Sequence, residues 1–279
     1  MEWSVIFLVL LAAVMHASWN TMVKVQVDRF TMLAVLALAC GVLSLLALPF
    51  VDAPAPASWP IIGLSVVLHV GYNLFLVEAY RHGDLSQAYP IARGTTPILV
   101  LLLAAVFASE AITPMSALGV AVVSIGIISL SFSRRSAANT TSVLWALGTS
   151  VWIAGYSVAD GIGARLAGTP HGFIVWLNLL WALPLIAIGF WRQGPHFLGA
   201  MRAVWKPAFA SGAVAMSGYW IVVWAMASAP LAAVSALRET SVIVAALIGT
   251  IFLKEPFGLW RVAAATLVAG GVAIMRVGD

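Results

Sequence analysis

Long apolar runs separated by short polar or Pro/Gly breaks occupy the whole chain. A run of about 20 apolar residues is long enough to cross a bilayer as a helix. Ten such spans can be laid out, at 3–23, 30–51, 59–81, 86–108, 115–133, 142–164, 171–191, 206–228, 231–253 and 257–276. None of the breaks is long enough to hold a separate soluble domain. The pattern therefore predicts an all-α integral membrane protein of ten transmembrane helices. The first run has the apolarity of a signal peptide but lacks a basic leading region, and it carries His16, Trp19 and Asn20. It reads as a retained first helix.

Composition agrees with this pattern. Of 279 residues, 62% are hydrophobic and 9% charged, where a soluble domain carries about 25% charged residues. Mean hydropathy is +1.04. The net charge of +4 does not point to nucleic acid, because the basic residues sit in the gaps between apolar runs, where they orient helices. The odd-numbered connections hold Lys24, Arg29, Arg81, Arg134, Arg135, Arg192, Arg202, Lys206, Lys254 and Arg261. The even-numbered connections and both termini hold only Arg165 and Arg276. The positive-inside rule then places both termini away from the cytoplasm, in the periplasm if the host membrane is a bacterial inner membrane. Cys40 is the only cysteine, so no intrachain disulfide can form.

Arg93 and Arg238 belong to neither set, and they reveal a repeat. Sliding the chain by 145 residues sets Arg93 on Arg238, Thr95 on Thr240, Leu102 on Leu247, Phe107 on Phe252 and Glu110 on Glu255. Val123 then meets Val268, and Gly126 meets Gly271. Charges are scarce in this chain, so the shared Arg-to-Glu spacing is the informative part. Two five-helix units result, at 1–136 and 137–279, together forming one membrane domain. Because five is odd, the second unit is upside down relative to the first. Inverted repeats are a common way to build a transporter that opens alternately to either side of a midplane site.

The segments running from Glu110 to Gly126 and from Glu255 to Gly271 resemble the EamA family of the drug/metabolite transporter superfamily. In that family each five-helix repeat ends in a Glu, a short loop and a Gly-bearing last helix. The stretch "HASWN" at 16–20 is similar to helix one of many bacterial members. The resemblance covers nearly the whole chain. It implies two inverted five-helix repeats around a central cavity, lined mainly by helices one, three, four, six, eight and nine. It also implies a transporter, since some bacterial members export amino acids, aromatic ones included.

"HASWN" recurs in altered form as "HVGYN" at 69–73. Positions i, i+3 and i+4 share one face of a helix, so His16, Trp19 and Asn20 form one polar-aromatic patch and His69, Tyr72 and Asn73 another. The second half keeps the aromatics without the histidines: Trp152 and Tyr156 in helix six, Tyr219 and Trp220 in helix eight. An aromatic and amide lining suits a ligand with a flat apolar part and a few hydrogen-bonding atoms. The same residues could instead bond helices together. Trp3, Trp59, Trp145, Trp181, Trp191, Trp205 and Trp260 lie near span ends, where tryptophan anchors helices at the membrane interface.

Ionisable residues inside a span are expensive and mark functional sites by default. The fork of Arg93 suits a carboxylate or a phosphate. Pro90 and Pro97 should disturb its helix and offer freed carbonyls as the alternative partner. Arg238 with its neighbour Glu239 is the counterpart in span nine, where an internal ion pair is the plainer reading. Asp160 lies one turn beyond Tyr156 and could face the cavity. His16 and His69 could carry protons. Glu78 and Arg81 read as a surface pair, and Glu110 and Glu255 as helix-end caps. The chain contains no P-loop, no HExxH, no GxSxG and no clustered metal ligands, so the sequence implies neither intrinsic ATP hydrolysis nor a cofactor. The reading is a secondary transporter, not an enzyme, that exports small metabolites, amino acids with sizeable side chains foremost. An exporter of cationic drugs is the rival within transport, and an intramembrane enzyme the rival outside it. The coupling ion, the transport direction and the oligomeric state are not legible.

Overall fold

Several helices begin where the sequence supplies a side chain or a proline to finish the first turn. Asp28 accepts from the backbone N–H of Thr31 at 3.0 Å and starts the second helix. Thr113 and Ser116 form a reciprocal capping box with Pro114 at the first helical position. Asn139 and Thr169 cap the next two helices by accepting from the backbone N–H of Thr141 and Gly172. In a computed structural model the described residues are 2–24, 26, 28–82, 85–132, 139–245, 247 and 259–277. They form α1 (Trp3–Lys24), α2 (Arg29–Ala47), α3 (Trp59–His82), α4 (Leu85–Phe107) and α5 (Pro114–Ser129). There follow α6 (Thr140–Leu166), α7 (Pro170–Gln193), α8 (His196–Ser228), α9 (Leu231–Glu239) and α10 (Leu259–Val277).

Eight helices, α1 to α8, are long and apolar enough to cross a membrane among the described residues, and the protein is a multi-pass membrane protein. Two expected spans differ. The eighth begins at His196, ten residues ahead of the expected start at 206. Gly194, at φ +56°, stops α7, and Pro195 starts α8 at once, so Arg202 and Lys206 lie on a helix rather than in a connection. The ninth is interrupted. Helix α9 has 9 residues and ends at Glu239, Thr240 forms a turn, and helix resumes at 241–245. Lys254, Glu255, Arg134 and Arg135 lie outside the described residues. Against expectation, Pro90 and Pro97 do not break α4, which stays helical from Leu85 to Phe107.

Helix packing follows the repeat. Helix α1 packs on α8 and α3 on α6, and α4 packs on α6 as α9 packs on α1. Under the 145-residue offset these contacts exchange into one another, while α2–α7, α4–α9 and α5–α10 map onto themselves. A pseudo-two-fold relation produces this pattern. It is sharpest between α5 and α10. A Cβ on Gly126 would meet the Ala264 carbonyl oxygen at 3.1 Å, and one on Gly271 would meet the Gly119 carbonyl oxygen at 2.7 Å. The offset turns each of these contacts into the other. Only glycine allows backbones this close. Arg276 lies over the Trp3 ring at 3.2 Å, so the two ends of the described chain share one end of the bundle.

Candidate functional site

Residues from α1, α2, α3, α6, α7, α8 and α9 converge on a cavity of about 70 Å³. Its wall contains His16, Trp19, His69, Tyr72, Asn73, Tyr156, Tyr219 and Arg238, eight residues singled out from sequence. The rings are packed on one another. His69 stacks on Tyr156 at 4.1 Å, Tyr72 meets Tyr156 edge-on at 5.5 Å, and Tyr219 meets His69 edge-on at 5.7 Å. His16 meets Trp19 edge-on at 4.9 Å, and His16 Nε2 is buried without a hydrogen-bond partner among the described residues. Pockets for drug-sized ligands run about 300–1,000 Å³, so these rings must separate to admit anything of that size.

Behind this wall the two repeats meet through charge. Arg93 from α4 and Arg238 from α9 are 2% and 1% exposed, and both bind the same oxygen, Oε1 of the fully buried Glu239. Arg93 Nη1 donates to it at 3.0 Å; Arg238 donates through Nη2 at 3.1 Å and Nε at 3.3 Å. Arg238 Nη2 also reaches Ser157 Oγ at 3.3 Å. Under the offset Glu239 corresponds to Gly94, whose Cα lies so close to Ser124 and Ile128 that a side chain there would collide with α5. One carboxylate therefore serves two guanidiniums and leaves an excess positive charge. Arg93 Nη2 and Glu239 Oε2 have no partner among the described residues. Of the two arginines only Arg238 lines the cavity. Arg93 is paired across the repeat interface with Glu239 rather than with carbonyls freed by proline.

Asp160 does not line the cavity. It is fully buried behind His69 and accepts hydrogen bonds from Ser65 Oγ on one oxygen and from the Tyr219 hydroxyl on the other. His69 Nε2 lies 3.8 Å from its Oδ2.

The remaining candidates sit elsewhere. Asn20 turns its amide back to the His16 carbonyl at 2.9 Å. Trp152 fills the space over Gly71 and packs on Phe75 at 5.6 Å. Trp220 Nε1 donates to His171 Nδ1 at 2.7 Å. The contacts of Trp152 and Trp220 hold α6 to α3 and α8 to α7, while that of Asn20 stays within α1. Glu78 pairs at the surface with Arg81 at 3.8 Å and His82 at 3.5 Å. Trp181 corrects the expectation of an interface anchor: it is 9% exposed, lines the cavity and donates to Asn178 Oδ1 at 3.1 Å. Sequence reasoning missed Asn178, also on the wall, although Asn178 and Trp181 show the three-residue polar-aromatic spacing of the two patches. Ser65 and Cys40, also missed, carry no pattern that separates them from packing residues.

At the end of the bundle that holds the termini, a second cavity of about 320 Å³ is lined by Glu110, Arg165, Pro230 and Met275 among others. Arg165 Nη2 binds Glu110 at 2.7 Å and the Ala229 carbonyl at 2.9 Å. Glu110 caps not its own helix but the first turn of α9, accepting from the Leu231 N–H at 2.9 Å.

Comparison with known proteins places this architecture. A crystal structure of a protein 18% identical to this chain superposes over 98% of this chain and 95% of its own, with a TM-score of 0.75. That likeness concerns the fold. No curated protein matches the chain in sequence. The model of the EamA-like transporter family matches twice, at residues 3–132 and 140–277. The chain therefore belongs to the EamA family of the drug/metabolite transporter superfamily, as a two-repeat membrane protein of a small-molecule transporter family.

Proposed function

We propose that this protein is a secondary exporter of amino acids, large neutral and aromatic ones foremost, acting in a bacterial inner membrane by alternating access. The observation that carries the reading is the composition of the cavity wall. It combines stacked rings with the guanidinium of Arg238, while Asp160 and Glu239 are 0% exposed. Aromatic faces suit a flat apolar side chain, and a guanidinium suits a carboxylate. A pore for cationic drugs needs an exposed counter-charge of opposite sign, which this wall does not offer among the described residues. In this reading the substrate carboxylate meets Arg238, its side chain separates the rings around Tyr156, and the two repeats rearrange about it.

The test is a counterflow screen in proteoliposomes, with the twenty amino acids set against quaternary ammonium compounds. Chemically unchanged phenylalanine should exchange, and tetraethylammonium should not. Exchange of tetraethylammonium alone would replace the reading by the drug-export one.

Orientation is part of the proposal. The bias of basic residues toward the odd-numbered connections puts both termini in the periplasm. A C-terminal alkaline phosphatase fusion should be active and a C-terminal green fluorescent fusion dark. The opposite pattern would turn the molecule over in the membrane.

A further inference from the structure

A buried polar side chain needs a partner for each of its hydrogen-bonding arms. Two of the four asparagines, Asn73 on α3 and Asn178 on α7, are buried and line the cavity. Each donates from Nδ2 to the carbonyl one turn before it, Asn73 to His69 at 2.8 Å and Asn178 to Ile174 at 2.9 Å. A carbonyl only accepts, so the atom facing it must be the amide nitrogen, and the bond fixes Oδ1 as the other arm. Thr96 and Thr149 bond back to their helices in the same way, but a hydroxyl has no second arm. An amide does, and its oxygen is an acceptor with two lone pairs. Asn73 Oδ1 accepts from no described residue, and Asn178 Oδ1 accepts from Trp181 Nε1 at 3.1 Å. The described hydrogen bonds of both amides stay within one helix, so they do not tie helices together.

We infer that Asn73 and Asn178 form the subsite for the substrate's ammonium group and make the cavity selective for a zwitterion. The inference rests on the amino-acid reading above, in which the substrate carboxylate meets Arg238. An ammonium has three hydrogens to place, and one left over in a buried space is costly. The carboxylates of Asp160 and Glu239 cannot take them, since both are fully buried and neither lies on the cavity wall. The acceptors must therefore be neutral, and the two amide oxygens fit. Their helices meet at the right level: His69, one turn before Asn73, lies 5.6 Å from Trp181, one turn after Asn178. Neutral acceptors also set the selectivity. A carboxylate in this place would hold any cation by charge alone. An amide oxygen offers a cation only hydrogen bonds, against the excess positive charge that Arg93 and Arg238 leave. The ammonium is held when its own carboxylate sits on Arg238 and cancels that excess. An acid without an amino group forgoes the amide bonds, and an amine without an acid meets an uncompensated guanidinium. The asparagines thus read the amino group as Arg238 reads the carboxylate.

The experiment is counterflow in proteoliposomes holding the full chain, with phenylalanine set against 3-phenylpropionate, which has the ring and the carboxylate but no amino group. Asn73→Thr is the variant to use. Threonine can keep a bond to the His69 carbonyl, as Thr96 keeps one to Ala92, while the amide oxygen is removed. Exchange of phenylalanine should fall roughly 10-fold, the factor that goes with one charge-assisted hydrogen bond. Exchange of 3-phenylpropionate should fall far less, so the preference for the amino acid shrinks. The variant's melting temperature without ligand should stay near that of wild type. If Asn73→Thr does not elute as a folded species in gel filtration, Asn178→Thr makes the same comparison. An unchanged preference, or a loss of both compounds in proportion, overturns the inference and makes the amides structural. If 3-phenylpropionate is too slow to follow even in wild type, the melting temperature decides. Loss of phenylalanine exchange at an unchanged melting temperature supports the subsite, and a joint loss overturns it. Absence of phenylalanine counterflow in wild type is a different result: it refutes the substrate reading, and the ammonium subsite falls with it.

Discussion

Glu239→Gln is expected to destabilise the protein by about 3–5 kcal/mol, the cost of removing one partner from a buried ion pair. The cause is arithmetic of charge in a place that excludes water. Arg93 and Arg238 are almost fully buried and share Oε1 of Glu239. A neutral amide can still accept a hydrogen bond, but it leaves two guanidiniums side by side without a counter-charge. Arg93→Met should cost less, because it leaves Arg238 and Glu239 paired one to one and replaces the lost stem with apolar volume. Thermal unfolding in detergent separates the two cases. If Arg93→Met proves as damaging as Glu239→Gln, the shared carboxylate is not the charge-balancing centre of the repeat interface.

The second large effect falls on transport. Arg238→Lys keeps the charge but loses the fork, and a charge-assisted hydrogen bond is worth about 1.5–3 kcal/mol. Exchange of phenylalanine should therefore fall roughly 10–100-fold. Phenylalaninamide has no carboxylate to lose, so any exchange it supports should fall far less. Acid and amide in wild type and variant form a double-mutant cycle. A coupling near zero would make Arg238 purely structural. Arg93 is the wrong place for this test, since its described partner is Glu239 and it does not line the cavity.

The helical class, the membrane and the repeat were all legible in the sequence, because apolar runs of bilayer length and two rare arginines at matched positions leave few other solutions. The two His-x-x-aromatic-Asn patches gave five of the cavity-wall residues, because one helix face is a matter of spacing alone. What spacing cannot give is which side of a neighbouring helix a residue meets. Asp160 looked cavity-facing from its turn beyond Tyr156, yet Ser65 and Tyr219 enclose it. Trp181 looked like an interface anchor, yet α7 carries it inward to Asn178. The break after Glu239 was hidden because no proline or glycine marks it, and the nearest such residue upstream is Pro230. Glu110 showed itself as a helix cap, but that it caps α9 of the other repeat is a long-range fact.

The central claim is that the ring-lined cavity binds a carboxylate-bearing aromatic ligand, and binding to the folded state raises the melting temperature. The direct measurement is the thermal shift of purified protein with phenylalanine, phenylalaninamide or tetraethylammonium, in wild type and in Tyr156→Ala. Phenylalanine should raise the wild-type melting temperature, the other two compounds should leave it near its starting value, and Tyr156→Ala should erase the phenylalanine shift. Stabilisation by tetraethylammonium but not phenylalanine, or a phenylalanine shift that survives Tyr156→Ala, would contradict the account.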